Sequence, residues 1–358
     1  MRLRASLGSA LVCLAAGGTP GCGKEESVPA DVDTAPSAAF EYRGLSHVSW
    51  WHDEYVSAAG TTSRQALGGT GANWGAVLTT WYMPDRNATV IAPDSRRTPT
   101  DAAVRAAIRH LHELDLRVML KPHVDVDDGT WRGSIRPSDT ASWFASYAEF
   151  LVSMAKVASE EKVDLLCVGT ELARLTGSEY RGPWAALLSR VRETYGGALT
   201  YAANAVNPAD EFTSVSFWDL LDLGGLDVYA PLTDKDDPTR DELVRAWSRN
   251  REGHDMVASF RNWQRSHGKP VVFTEIGYRS ARGANRRPWE WETSPPFDAE
   301  EQANCYVAAF EVWRRESSWM KGLFWWAWSV PRPAPGDTGY SPWGKPAEDE
   351  LRRGYAAR

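Results

Sequence analysis

Eight short apolar runs, separated by helix-patterned stretches, constrain this chain more than any single motif. They are residues 44–51 (GLSHVSWW), 74–81 (WGAVLTTW), 117–124 (RVMLKPHV), 163–169 (VDLLCVG), 199–204 (LTYAAN), 225–229 (GLDVY), 270–274 (PVVFT) and 322–329 (GLFWWAWS). Near-continuous apolar runs suit parallel strands covered on both faces. The segments between them carry helical stripes. Residues 100–114 place Val104, Ile108, Leu111 and Leu114 on one face, after the start signal Thr98-Pro99. Residues 138–158 do the same with Phe144, Tyr147, Leu151, Met154 and Ala158, and residues 184–195, 241–267 and 299–316 behave alike. Only the first helix, near residues 62–67, is weak. Strand–helix alternation implies a parallel sheet, and eight strands are the number that closes one. The expected fold is therefore a single (β/α)8 TIM barrel over residues 41–358, with a turn-rich tail after Ser329 wrapping its surface. An open doubly wound sheet is the rival. It would place a Gly-rich phosphate turn after an early strand, whereas LGGTGANWG precedes its strand, so dinucleotide binding is not expected.

The first residues read as a targeting segment. Arg2 and Arg4 precede an apolar stretch, Leu7 to Ala16, that is too short to span a bilayer. It ends at GTPGC, and a Gly directly before Cys22 resembles a bacterial lipoprotein signal, with ordinary cleavage and secretion as the alternative. Residues 1–22 are thus expected to be a signal peptide and Cys22 a lipidated residue. That would make the anchor the chain's one link to a membrane, and the protein exported and held at the envelope. Residues 23–40 are polar and non-periodic, a flexible linker. A net charge of -7 supplies no basic surplus for a nucleic-acid partner. Cys167, inside an apolar run, reads as a buried free thiol.

In a barrel of this kind the chemistry sits at the carboxyl ends of the strands. Two glutamates stand there, each directly after an apolar run: Glu171 in CVGTEL and Glu275 in VVFTEIGYRS. A carboxylate placed so is costly unless it is used. Strands four and seven face each other across a barrel mouth, and two carboxyl groups in one pocket suit glycoside hydrolysis. A cationic side chain filling that cavity would take them out of the chemistry. The chain also holds 18 Trp, and indole faces pack well against the CH faces of sugar rings.

The segments GLSHVSWWHDEY, MLKPHVDV, CVGTEL, GLDVYAPL, VVFTEIGYRS and FWWAWS together resemble clan A glycoside hydrolases, most of all glycoside hydrolase family 113, a family of β-mannanases. The similarity runs from about Tyr42 to Trp343. It implies Glu171 as acid/base, Glu275 as nucleophile and retention of configuration. It also implies that Tyr229 hydrogen-bonds the nucleophile and that Trp328 forms the floor under the reacting sugar. Much of the clan has Asn directly before the acid/base; here that position is Thr170, and Asn204 is the candidate to compensate.

Further substrate-binding candidates are Trp51, His52, Trp81, His123, Asp125, Tyr278 and Trp289, with Trp131 and Trp291 as additional stacking surfaces in long loops. Trp50, Trp325 and Trp326 read as core or barrel wall, His47 as a core residue and Lys121 as a buried partner of an acid. The His and Asp residues at strands one and three suit sugar hydroxyls better than a metal, since no metal-ligand spacing is present. The expected activity is hydrolysis of a β-1,4-linked polysaccharide, mannan-type first, with no cofactor because the carboxyl groups supply acid and nucleophile. The alternatives are another polymer (glucan, xylan, an exopolysaccharide) or a surface lipoprotein that binds carbohydrate without turnover.

Overall fold

The computed structural model describes residues 40–206 and 210–357. The leader, Cys22 and residues 23–39 of the linker lie outside the described residues. Eight parallel strands form a closed barrel in sequence order: β1 (Tyr42–His47), β2 (Trp74–Met83), β3 (Arg117–Val126), β4 (Leu165–Thr170), β5 (Ala198–Asn204), β6 (Leu223–Val228), β7 (Val271–Ile276) and β8 (Met320–Trp328). The helices are α1 (Ala58–Gly68), α2 (Asp101–Glu113), α3 (Thr140–Glu160), α4 (Arg181–Thr194), α5 (Arg240–Ala246), α6 (Met256–His267), α7 (Ala299–Arg314) and α8 (Pro346–Ala356).

Each strand has two buried faces, and alternate residues serve two cores. Val118 and Leu120 of β3, and Val271 and Phe273 of β7, join the outer core beneath the helices. Met119 of β3 and Val272 of β7 join the inner cluster, with Trp74, Ala76, Leu78, Cys167 and Phe324. Large and small residues interlock inside: a Cβ on Gly44 would lie 2.2 Å from the Phe324 ring, so only glycine leaves that ring its place. Outside, the Trp325 ring stacks on Tyr306 of α7 with centroids 3.5 Å apart. This contact docks α7 on β8 by aromatic burial.

The ring closes where β1 meets β8, with Tyr42 opposite Gly322 and Gly44 opposite Phe324. Helix α8 covers this seam. Its Tyr355 hydroxyl donates to the Gly44 carbonyl at 2.7 Å and reaches that of Leu323 at 3.4 Å. Arg314 of α7 donates to the Gly354 carbonyl at 2.8 Å.

Three expectations need correction. β1 ends at His47, so Trp50 and Trp51 stand in the following loop. The stretch 241–267 is two helices: α5 stops at Ala246, the connection turns at Gly253 (φ 82°), and Asp255 restarts the chain as α6, its side chain accepting from Ala258 N–H. The tail ends in a helix, α8, with Pro346 in its first turn. Cys167 and Cys305 are both buried and free.

Candidate active site

Inward-facing residues near the carboxyl end of the barrel carry charge where the layers below are apolar. On β3 the inward series continues past Met119 to Lys121 and His123, which are fully buried. Lys121 Nζ donates to both oxygens of Asp227 at 3.1 Å and to Glu275 Oε1. Asp227 also accepts from Thr274 Oγ1 at 2.6 Å. Burial and the neighbouring Glu275 push the Asp227 carboxyl up, against the pull of Lys121. The Lys121 ammonium is driven above its usual range: burial opposes the charge, but Asp227 and Glu275 outweigh it. The lysine lies inside the barrel, beneath Glu275, and does not fill the mouth.

Glu275 is 5 % exposed, and its other oxygen accepts from the Tyr229 hydroxyl at 2.6 Å. The strands slip here: Leu226 pairs with Phe273, but Asp227 pairs with Glu275. The irregularity turns Glu275 toward the mouth, the kind of re-aiming that bulges provide.

Glu171 reaches the same mouth by a different device. It follows β4 with φ 51°, a left-handed conformation uncommon for a residue with a side chain. Such strain persists where the surroundings over-determine it. Its N–H donates to the Ala202 carbonyl at 2.8 Å. Asn204 Nδ2 donates to Oε1 at 3.0 Å, and Trp131 Nε1 to Oε2 at 3.1 Å. The Asn204 amide is oriented by Val206 N–H, which donates to its Oδ1 at 3.2 Å. Behind it, buried Glu211 accepts from Asn204 N at 2.8 Å and from the Tyr201 hydroxyl at 2.6 Å.

Arg132, from the loop after β3, ties the cluster together. It donates to His123 Nδ1 at 2.7 Å and to Asp125 Oδ1 at 2.5 Å. Burial first, then Arg132 and Lys121, keep His123 well below the usual imidazole range. A neutral ring that accepts at Nδ1 carries its proton on Nε2. That N–H has no hydrogen-bond partner and stands 3.6 Å from Glu275 Oε1.

The structure brings together Glu171, Glu275, Tyr229, His123 and Asn204, with Asp125 at the edge through Arg132. It does not bring in Trp328. That ring is fully buried in the outer core, donates to the Ser63 carbonyl at 2.9 Å and stacks on Trp343 at 5.3 Å. The two-residue alternation breaks here: Phe324 and Trp326 face in, but Ala327 joins the inner cluster as well, which turns Trp328 to the outer core. The register with β1 shifts at the same place, from Leu45 opposite Trp325 to His47 opposite Trp328. Trp326 is the half-buried ring at the mouth, near-parallel to His123 with centroids 6.1 Å apart and edge-on to exposed Trp50 at 6.3 Å. Trp81 likewise faces outward and stacks on Phe150 of α3 at 4.5 Å. Tyr278 is fully buried and donates to the Ala230 carbonyl at 3.2 Å. Thr170 is buried with a hydroxyl that has no partner among the described residues. Trp51, Trp289 and Trp291 are exposed loop residues, and His52 is half-buried beside Asp53. Trp131 serves as a donor to Glu171 rather than as a free stacking face.

Sequence reasoning missed Arg132, Glu211 and the roles of Trp50 and Trp326. Two cavities of about 310 Å³ lie elsewhere, one lined by Phe212, Asn250 and His254 and one by Arg279, Arg282 and Arg286. Neither contains Glu171 or Glu275.

Comparison with known proteins places the chain in a family. No curated protein matches the chain. Among solved structures, a GH113 β-mannanase from Alicyclobacillus acidocaldarius in complex with ManMIm is 28% identical, with a TM-score of 0.79 over 89% of this chain and 98% of that one. A GH113 β-1,4-mannanase complex is 23% identical, with a TM-score of 0.78 over 90% of this chain and all of the other. A more distant likeness, XacCel5A in complex with cellopentaose, is 12% identical with a TM-score of 0.55 over 88% and 99%, a match of fold alone. The family model described as Glycoside Hydrolase Family 113 matches residues 48–345. The chain therefore belongs to glycoside hydrolase family 113.

Proposed function

We propose that the protein is a retaining β-glycoside hydrolase that cuts within β-1,4-linked, mannan-type chains, with Glu275 as nucleophile and Glu171 as acid/base. The observation that carries the roles is the difference between the two carboxyl environments. Glu275 receives a cationic donor, Lys121, and the Tyr229 hydroxyl. An adjacent ammonium favours the ionised form that a nucleophile needs. Glu171 receives only neutral donors, from Asn204 and Trp131. Pairs of carboxyl groups whose surroundings differ in this way divide acid from nucleophile.

In the first step Glu171 protonates the leaving glycosidic oxygen while Glu275 attacks the anomeric carbon. Glu171, now ionised, takes a proton from water as that water displaces Glu275, and configuration is retained. Tyr229 holds the attacking carboxylate, and His123 Nε2–H points into the space beside it as a donor for a sugar hydroxyl. Trp326 and Trp50 offer the stacking surface. The mannan preference rests on the likeness to GH113 β-mannanases.

The test is product analysis on β-mannan, with the anomer of the released sugar followed by NMR. A β-product first, with internal cleavage, is expected. Glu275→Ala and Glu171→Ala should each abolish release of reducing sugar by about 10²–10⁴-fold or more with the fold intact. Near-normal activity in either variant refutes the assignment. A panel of glucan, xylan and mannan decides the polymer, and binding without product in a long digestion would favour a lectin-like role.

A further inference from the structure

Lys121 is fully buried, and all three of its N–H directions are taken, by Asp227 Oδ1, Asp227 Oδ2 and Glu275 Oε1. It therefore offers nothing to a substrate. A buried ion pair is weak evidence of a stabilising role, because desolvation offsets its Coulomb gain. One of its two carboxylates, however, opens on the barrel mouth. We propose that Lys121 is a positioning residue for the reaction: anchored by Asp227, its ammonium keeps Glu275 ionised and fixes the orientation of that carboxylate. The inference rests on the reading of Glu275 as nucleophile.

The need for such a group follows from the surroundings. Glu275 is almost fully buried, with Lys121 Nζ on one oxygen and the Tyr229 hydroxyl on the other, and burial disfavours the charged form of a carboxyl that has no such donors. The charged or titratable groups that face it are Lys121 and His123 of β3, Arg132 of the following loop, Glu171 after β4, Asp227 of β6, and Tyr229 and Tyr340. Among them His123 is neutral and Arg132 is spent on His123 and Asp125. Lys121 is the cation in direct contact. Asp227 is held by Thr274 and so fixes the far side of the ammonium, leaving one N–H aimed at Glu275 Oε1.

The experiment uses a 2-deoxy-2-fluoro-β-mannobiosyl fluoride, which traps the nucleophile as a stable ester. The pH dependence of trapping is followed by intact mass in the full chain, in Lys121→Met and in Lys121→Met/Asp227→Asn. The double variant removes the Lys121 ammonium together with its Asp227 anchor, so that Glu275 is the carboxylate left without its cation. Wild type should be labelled on Glu275. In the double variant the acid limb should move upward by about one pH unit or more, a tenfold loss of rate at its foot, with a smaller change on the alkaline plateau. A merely structural lysine would lower the rate at every pH and leave the limb in place. An unmoved limb in a folded variant that still labels overturns the inference alone. Wild type that labels on another residue overturns the nucleophile reading and the inference with it. A measurement without substitution runs in parallel: the 15N side-chain resonance of Lys121 should be that of an ammonium throughout the active pH range. A neutral amine there overturns the proposal.

Discussion

Glu211→Gln should change the pH dependence of stability. Glu211 opens the short turn after β5, is 1 % exposed, and takes hydrogen bonds from the Tyr201 hydroxyl and Asn204 N–H. Burial pushes its carboxyl up to about 8 from an ordinary 4.5, outweighing those donors. The folded protein thus holds a proton on Glu211 that the unfolded chain releases. Stability from this group is complete below about pH 4.5 and falls as pH rises toward about 8, where the folded carboxyl ionises too. The gap of about 3.5 pH units, at about 1.4 kcal/mol each, is about 5 kcal/mol. Glutamine copies the protonated form in shape and charge and has no such titration. Urea unfolding of both proteins from pH 4 to 9 isolates the group, because every other titration is shared. The variant should gain on wild type by about 1.4 kcal/mol per pH unit across that window. Parallel profiles would refute the reasoning and mean that Tyr201 and Asn204 hold Glu211 ionised.

Trp326→Ala and Trp328→Ala should separate cleanly: the first raises KM by about three- to tenfold through a lost stacking face with little change in Tm, and the second costs about 3–5 kcal/mol of stability. Steady-state kinetics beside thermal melts check both, and the reverse pattern would restore Trp328 to the sugar floor. Arg132→Lys keeps the charge but loses the fork that spans His123 and Asp125, so kcat/KM should fall about tenfold. In wild type, 15N NMR of His123 should show the Nε2–H tautomer, and an Nδ1–H signal would contradict the Arg132 contact.

All eight strands were legible because strands buried on both faces are long apolar runs that turns cannot imitate. Their ends were not, because pairing with neighbours sets them; β1 stops at His47 although the apolar run continues to Trp51. The two glutamates were legible since each interrupts an apolar run at its carboxyl end. The facing of Trp81 and Trp326 was readable but misread, whereas that of Trp328 was not readable, because the strand's alternation breaks just before it. Counting by twos from inward Phe324 gives Trp326 to the mouth, and counting from Leu78 turns Trp81 toward α3. Helix α8 also left its signs: Pro346 at the start, acids in the first turn, and Leu351 and Tyr355 at helical spacing. Arg132 left none, because its contacts depend on how a loop folds back over the barrel.

The seam between β1 and β8, with Tyr355 bridging Gly44 and Leu323, joins the two ends of the described chain. A nascent polypeptide leaves the ribosome with its first stave exposed and must wait for almost the whole sequence before the last one arrives. Until then both sheet edges are open to pairing with other chains. Closure of the cylinder is therefore a late event in synthesis, and the time spent with two open edges sets the window in which strays can pair with them.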